Sequence, residues 1–122
     1  HFLKYNPGKA PYAEAWFSAE AKRIYGVLDR LLGEHEFMCG DYSIADIANW
    51  AWVRTHKWSG VSLDGLPNLQ RWVDAIRARP AVQRGLMMPP SSRDLEADTD
   101  ESAEKFAASV RTMLETGQSQ KA

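Results

Sequence analysis

The run Gly40-Asp41-Tyr42-Ser43-Ile44-Ala45-Asp46-Ile47-Ala48-Asn49-Trp50-Ala51-Trp52-Val53 limits the fold more than any other stretch of the chain. Ser43 and Asp46 stand three apart at the head of an apolar segment, the spacing of a capping box. The hydroxyl accepts from the backbone N–H at Asp46, and the carboxylate reaches back to the N–H of Ser43. This pair therefore reads as a structural cap rather than as catalytic groups, and loss of such a cap typically costs about 1 kcal/mol. Tyr42 and Ile47 occupy the positions of a hydrophobic staple, which fixes the angle of entry. Beyond the cap only Asp46 and Asn49 are polar, and a helix apolar nearly all round belongs inside a bundle. It is far too short to cross a bilayer.

The remaining elements read as packing around this rod. Phe2, Leu3 and Tyr5 precede a Pro/Gly loop and mark the end of a helix that begins upstream. From Tyr12 to about Leu32 no proline intervenes; Ile24, Leu28, Leu31 and Leu32 form an inner stripe, and Gly33 supplies a stop. Gly26, inside that helix, costs up to about 1 kcal/mol relative to Ala and is explained by close packing against a neighbour. Residues 56–65 form a loop. Pro67 then takes the first helical position, with Leu69, Trp72, Val73 and Ile76 as a buried stripe. Pro80 ends this helix, and a short one follows from Ala81 to about Leu86. Residues 1–88 thus make one helical domain and residues 89–100 a polar, acidic linker. Residues 101–117 form a last amphipathic helix, with Ala103, Phe106, Ala107, Val110, Met113 and Leu114 on one face and Gly117 past its end. No period-two run predicts a strand, so the fold class is all-α, a helical bundle around a buried central helix.

Fifteen basic against sixteen acidic residues, in a chain of 122, argue against a nucleic-acid partner or an anionic membrane. The single cysteine, Cys39, precludes an internal disulfide framework and suits a reducing cytoplasm. The opening residues lack the pattern of a secretory leader, and a start at His1 amid aromatics reads as part of a longer protein.

Chemistry-bearing residues are sparse. His1, His35 and His56 lack paired-ligand spacing, so no metal site is expected. Cys39 has no second thiol to exchange with and reads as a buried, inert side chain. Arg71, Arg77, Arg79 and Arg84 form a basic region that reads as a solvated face, with an anion site as the alternative. The aromatics carry the functional lead. Trp50 and Trp52 lie about 200° apart on a helix, so both cannot face one neighbour. Phe2, Tyr5, Trp16, Trp52 and Trp58 are the candidate apolar wall for a flat substrate.

The segment from Tyr42 to Ala48 resembles the capping-box and staple signature of the C-terminal helical domain of glutathione transferases. Leu69-Gln70-Arg71-Trp72-Val73 running into Arg77-Ala78-Arg79-Pro80-Ala81-Val82 is similar to that family's next helix and its Arg-Pro break. His1-Phe2-Leu3-Lys4-Tyr5, Tyr12-Ala13 and Ala21-Lys22-Arg23 resemble the Nu-class branch, and the likeness extends over roughly residues 1–86. It implies a thioredoxin-like domain preceding this one, which holds glutathione, the co-substrate, and the groups that activate its thiol, so no catalytic residue is expected in this chain. It implies also a homodimer, cytoplasmic, in which this domain supplies a hydrophobic wall for an electrophile or disulfide. Where the branch carries an Arg before an aromatic on the first long helix, able to contact glutathione, this sequence has Trp16 before Phe17. A non-catalytic interaction module of the same fold, as appended to translation factors and aminoacyl-tRNA synthetases, is the alternative reading.

Overall fold

In a computed structural model, which describes residues 3–88 and 100–119 and, in the last helix, the side chains of residues 104–116, five helices follow one another. They are α1 (Pro11–Glu34), α2 (Ile44–Val53), α3 (Pro67–Arg77), α4 (Pro80–Leu86) and α5 (Asp100–Ser119). No strand occurs among the described residues; two isolated bridges close a turn at residues 37–41. The fold is all-α. The expected linker falls mostly on residues 89–99, outside the described residues.

Pro11 opens α1 and Pro67 opens α3, each at a position where the missing N–H has no partner to lose. The two helices then complete each other's ends. Leu66, before α3, offers no side-chain cap. Instead the Asp29 carboxylate of α1 accepts from the backbone N–H groups of Asn68 and Leu69, both at 2.9 Å. In return, the Arg71 guanidinium of α3 donates to the carbonyls of Leu32, His35 and Glu36 at 2.8, 3.1 and 3.2 Å. Orphan groups at the C-terminal end of one helix and the N-terminal end of the other are thereby answered across the interface. Gly33 is not a stop. It lies within α1, and a Cβ there would come within 3.2 Å of the Asn68 amide nitrogen. Gly26, by contrast, has open space around it among the described residues, and none of them packs closely there.

The core comprises Leu32, Trp50, Val53, Leu63, Leu69, Trp72, Val73 and Ile76, half of it from α3. On α1 the inward line is Tyr25, Leu28 and Leu32. Ile24 and Leu31, expected inside, flank that line and are partly exposed, in register with Phe17 at heptad spacing.

Ser43 caps α2, and both arms of the box form. Yet α2 buries one face only. Asp46, Trp50 and Val53 turn inward, whereas Ile44 (82% exposed), Ile47 (56%) and Trp52 (80%) line the other side with Ala48 and Ala51. The described residues cover one face of an all-round apolar helix, and the second stripe, at i, i+3, i+4, i+7 and i+8, faces outward. Tyr42 does not staple to an inward Ile47. Its ring packs edge-on against Phe37, at 5.3 Å between centroids, and lies under the Arg79 guanidinium at 3.8 Å.

Gly40, with φ at +86°, closes a turn in which its N–H donates to the Phe37 carbonyl. Phe37 and Met38 pack toward the core, which leaves Cys39 outward. The thiol expected to be buried is exposed.

In α5, Ala107 is completely buried, while Met113 and Leu114, on the same predicted stripe, are exposed. The helix docks through its first half. Gly117 lies within it rather than past its end.

Candidate functional site

Four residues of α1 at i, i+3, i+4 and i+7, namely Glu14, Phe17, Ser18 and Ala21, share one helical face and form the floor of a 390 Å³ cavity. Leu3 and Lys4 close one side, and Trp58, Ser59 and Val61 close the other.

Trp58 is placed by the loop after α2. Beyond Val53 the chain turns, and His56 and Val61 exchange two hydrogen bonds: Val61 N donates to the His56 carbonyl at 3.0 Å, and His56 Nδ1 donates to the Val61 carbonyl at 2.9 Å. The imidazole thus fastens the base of the loop. Gly60 takes φ of +70°, and its missing side chain lets Leu3 Cδ1 approach to 3.4 Å of where a Cβ would stand. Trp58 sits at the head of this clamped loop, 6.4 Å from the Tyr5 ring and 6.1 Å from Phe106 of α5. The Lys4 ammonium lies 5.3 Å from the Trp58 ring centroid, within the range of a cation–π contact.

Charge at the site is internally matched. Glu14 accepts from the backbone N–H of Gly8 at 2.7 Å. Arg111 of α5 donates to the Lys4 carbonyl at 2.6 Å and pairs with Glu104. That hydrogen bond from Arg111, with its charge, holds the Glu104 carboxyl below the ordinary carboxylate range; burial opposes the shift, and the nearby Lys4 ammonium adds to it.

Of the five expected wall residues Trp58 lines the cavity, and Tyr5 packs against the Trp58 ring without lining it. Phe2 lies outside the described residues. Trp16 is half exposed and stacks edge-on against Phe17 at 4.9 Å; Phe17, one position along, is the ring that lines the cavity. A single residue turns a helix by about 100°, enough to move one ring off the floor and bring the other onto it. Trp52 is on the outward stripe of α2 and takes no part in the cavity lining. Leu3, Lys4 and Phe17 were missed; the signal for Phe17 was the spacing Glu14-Phe17-Ser18-Ala21, obscured because the face mixes polar with apolar residues.

Three of the four arginines of the basic region are engaged within the fold. Arg71 is engaged at the end of α1, Arg79 stacks on Tyr42, and Arg77 pairs with Asp74 at 3.4 Å. Among the described residues, no group of three His, Cys, Asp or Glu side chains comes together, and no helix is long and apolar enough to cross a membrane. A cavity lined by Leu3, Phe17, Ala21, Trp58 and Val61, with one ammonium, one carboxylate and two serines beside them, is suited to holding a small, flat ligand.

Comparison with known proteins places this architecture. The family described as glutathione S-transferase, C-terminal domain, matches residues 1–84. The chain belongs to that family. Among curated proteins, this glutathione S-transferase C-terminal domain is 41% identical over 93 residues to the disulfide-bond oxidoreductase YghU of Escherichia coli K12, a match covering 70% of this chain and 32% of that protein. It is 36% identical over 88 residues to the disulfide-bond oxidoreductase YfcG of the same strain, covering 71% of this chain and 41% of the relative. Glutathione S-transferase GstB, also from that strain, is 32% identical over 73 residues, with coverage of 59% and 35%. The chain therefore spans less than half the length of these relatives, and the matched part contains α1 to α3 and most of α4.

Proposed function

We propose that this chain is the electrophile-binding and dimerisation domain of a glutathione transferase. The whole enzyme adds glutathione thiolate to electrophiles or exchanges it with disulfides. The observation that carries the reading is the cavity itself: Phe17, Trp58, Leu3 and Val61 offer flat and apolar surface, suited to the partner of glutathione rather than to the charged tripeptide. A tripeptide with two carboxylates calls for converging cations or backbone donors, and Arg71, Arg77 and Arg79 are each engaged elsewhere. Glutathione is then held mainly by a thioredoxin-like domain, which also supplies the donors that favour its thiolate. Residues 1–88 are the helical domain, 89–100 a linker and 101–117 an added helix.

The two outward stripes, Ile44, Ile47 and Trp52 on α2 and Trp16, Ile24, Val27 and Leu31 on α1, are the surfaces available to that domain and to a second copy. Single-cysteine usage supports a reducing, cytoplasmic setting. The kinship to two disulfide-bond oxidoreductases and a glutathione S-transferase supports an enzyme over a non-catalytic interaction module.

The test is steady-state kinetics on the full-length enzyme with a flat aromatic electrophile. Trp58→Ala is expected to raise KM for the electrophile about tenfold, the loss of one large apolar contact, with KM for glutathione unchanged. An unaltered electrophile KM would remove the cavity from the reaction.

A further inference from the structure

The last helix touches the cavity only at second hand. Neither Phe106 nor Arg111 is among the lining residues, yet each holds a residue that is. The Phe106 ring meets the Trp58 indole at 66° and 6.1 Å, an edge-to-face pair. Arg111 donates to the carbonyl of Lys4 at 2.6 Å, on the segment whose ammonium lies over that same indole. Ala107, between the two and with no exposed surface, is the point at which α5 presses closest to the rest of the molecule. Glu104 completes the arrangement by pairing with Arg111, which keeps the guanidinium aimed across the helix.

We infer that α5 pre-organises the cavity for a flat ligand: Phe106 and Arg111 are positioning residues that set the orientation of Trp58 and Lys4, the two lining residues they touch. The inference rests on the reading of the cavity as a ligand site. Without the Phe106 edge, the indole loses one of the rings packed against it, Tyr5 being another; without Arg111, the backbone at Lys4 loses its hydrogen bond to α5. A ligand that stacks on Trp58 must then order the ring itself on binding, at the expense of affinity.

The probe is N-phenyl-1-naphthylamine, a flat, uncharged fluorophore, titrated into the 122-residue chain, with the component abolished by Trp58→Ala taken as cavity binding. Phe106→Ala and Arg111→Met are each expected to weaken that component about threefold to tenfold, the worth of one edge-to-face pair or one charge-assisted hydrogen bond. Phe106→Tyr, which keeps the ring, is expected to restore it, and Met113→Ala, in the exposed second half of α5, to leave it unchanged. A merely structural role for Phe106 would not distinguish Tyr from Ala at equal helicity by circular dichroism. If Phe106→Ala loses helicity, Arg111→Met and Phe106→Tyr carry the comparison. Wild-type affinity in Phe106→Ala and Arg111→Met, beside weakened binding in Trp58→Ala, overturns the role of α5 and leaves the cavity intact. Undiminished binding in Trp58→Ala overturns both.

Discussion

Trp72 donates its indole N–H to Asp46 Oδ1 at 2.8 Å, and neither side chain has any surface exposed to solvent. The same oxygen accepts from the backbone N–H of Met38 at 3.0 Å, while Oδ2 takes the N–H and the hydroxyl of Ser43. A residue that caps one helix is therefore also where α2, α3 and the 37–41 turn meet.

Removal of this carboxylate leaves one buried donor, on Trp72, and three part-buried ones, on Met38 and Ser43, without this acceptor. At a cost of about 1–3 kcal/mol for each unsatisfied group, Asp46→Ala is expected to lose at least about 3 kcal/mol of unfolding free energy. Asp46→Asn, which retains one acceptor oxygen, is expected to fall between Ala and wild type. Urea unfolding followed by circular dichroism gives both values, and a loss in Asp46→Ala no larger than the ~1 kcal/mol of a simple cap would refute the shared node.

Acid should act through the same group. Burial on its own raises the Asp46 pKa, but the hydrogen bonds from Met38, Trp72 and Ser43 outweigh it and hold the carboxyl below the ordinary range. Because the folded value lies below the unfolded one, the unfolded chain binds more protons between the two. The stabilisation is complete above the unfolded pKa of about 3.9 and is lost as pH falls through the folded value. Urea midpoints measured from about pH 5 downward should drop more steeply in wild type than in Asp46→Asn, in which the residue does not titrate. Parallel profiles would contradict the assignment.

The paired tryptophans of α2 should part company. Trp50 is buried and donates to the Val73 carbonyl at 3.0 Å, whereas Trp52 is 80% exposed. Trp50→Ala is expected to cost about 3–5 kcal/mol and Trp52→Ala less than about 0.5 kcal/mol in the isolated chain. Thermal melts of the two variants check this, and equal losses would show the outward stripe of α2 to be covered.

What could be read from the residues alone was local. The capping box, the proline starts and the stripe Leu69-Trp72-Val73-Ile76 are set by spacing along one helix, and they locate α2 and α3. Elements that depend on a partner far along the chain were hidden. Nothing around Gly33 reveals that Asn68 will press on it, and Asp29 and Arg71 look like ordinary solvated charges until α1 and α3 are placed side by side. The cavity suffered from the same limit: Trp58 was legible as a large aromatic, but the choice between Trp16 and Phe17 turned on a helical phase that only the packing of α1 fixes.

Catalysis should not reside in this domain by itself. On the proposal that the thiol-activating donors lie in a thioredoxin-like domain, the isolated 122 residues are expected to show no conjugation of glutathione and no tight binding of it. Calorimetric titration with glutathione and a turnover assay with an aromatic electrophile are the measurements; turnover above the uncatalysed rate would overturn the division of labour.

Asp29 and Arg71 also bear on how the molecule breathes. Helix ends usually fray one at a time, yet here the last turn of α1 and the first turn of α3, whose partners lie 40 positions apart in the chain, each rely on a side chain borrowed from the other. A breach at one end strips the other, so the two termini form a single opening unit, and their amides should share one hydrogen-exchange rate set by the loss of the whole helix pair.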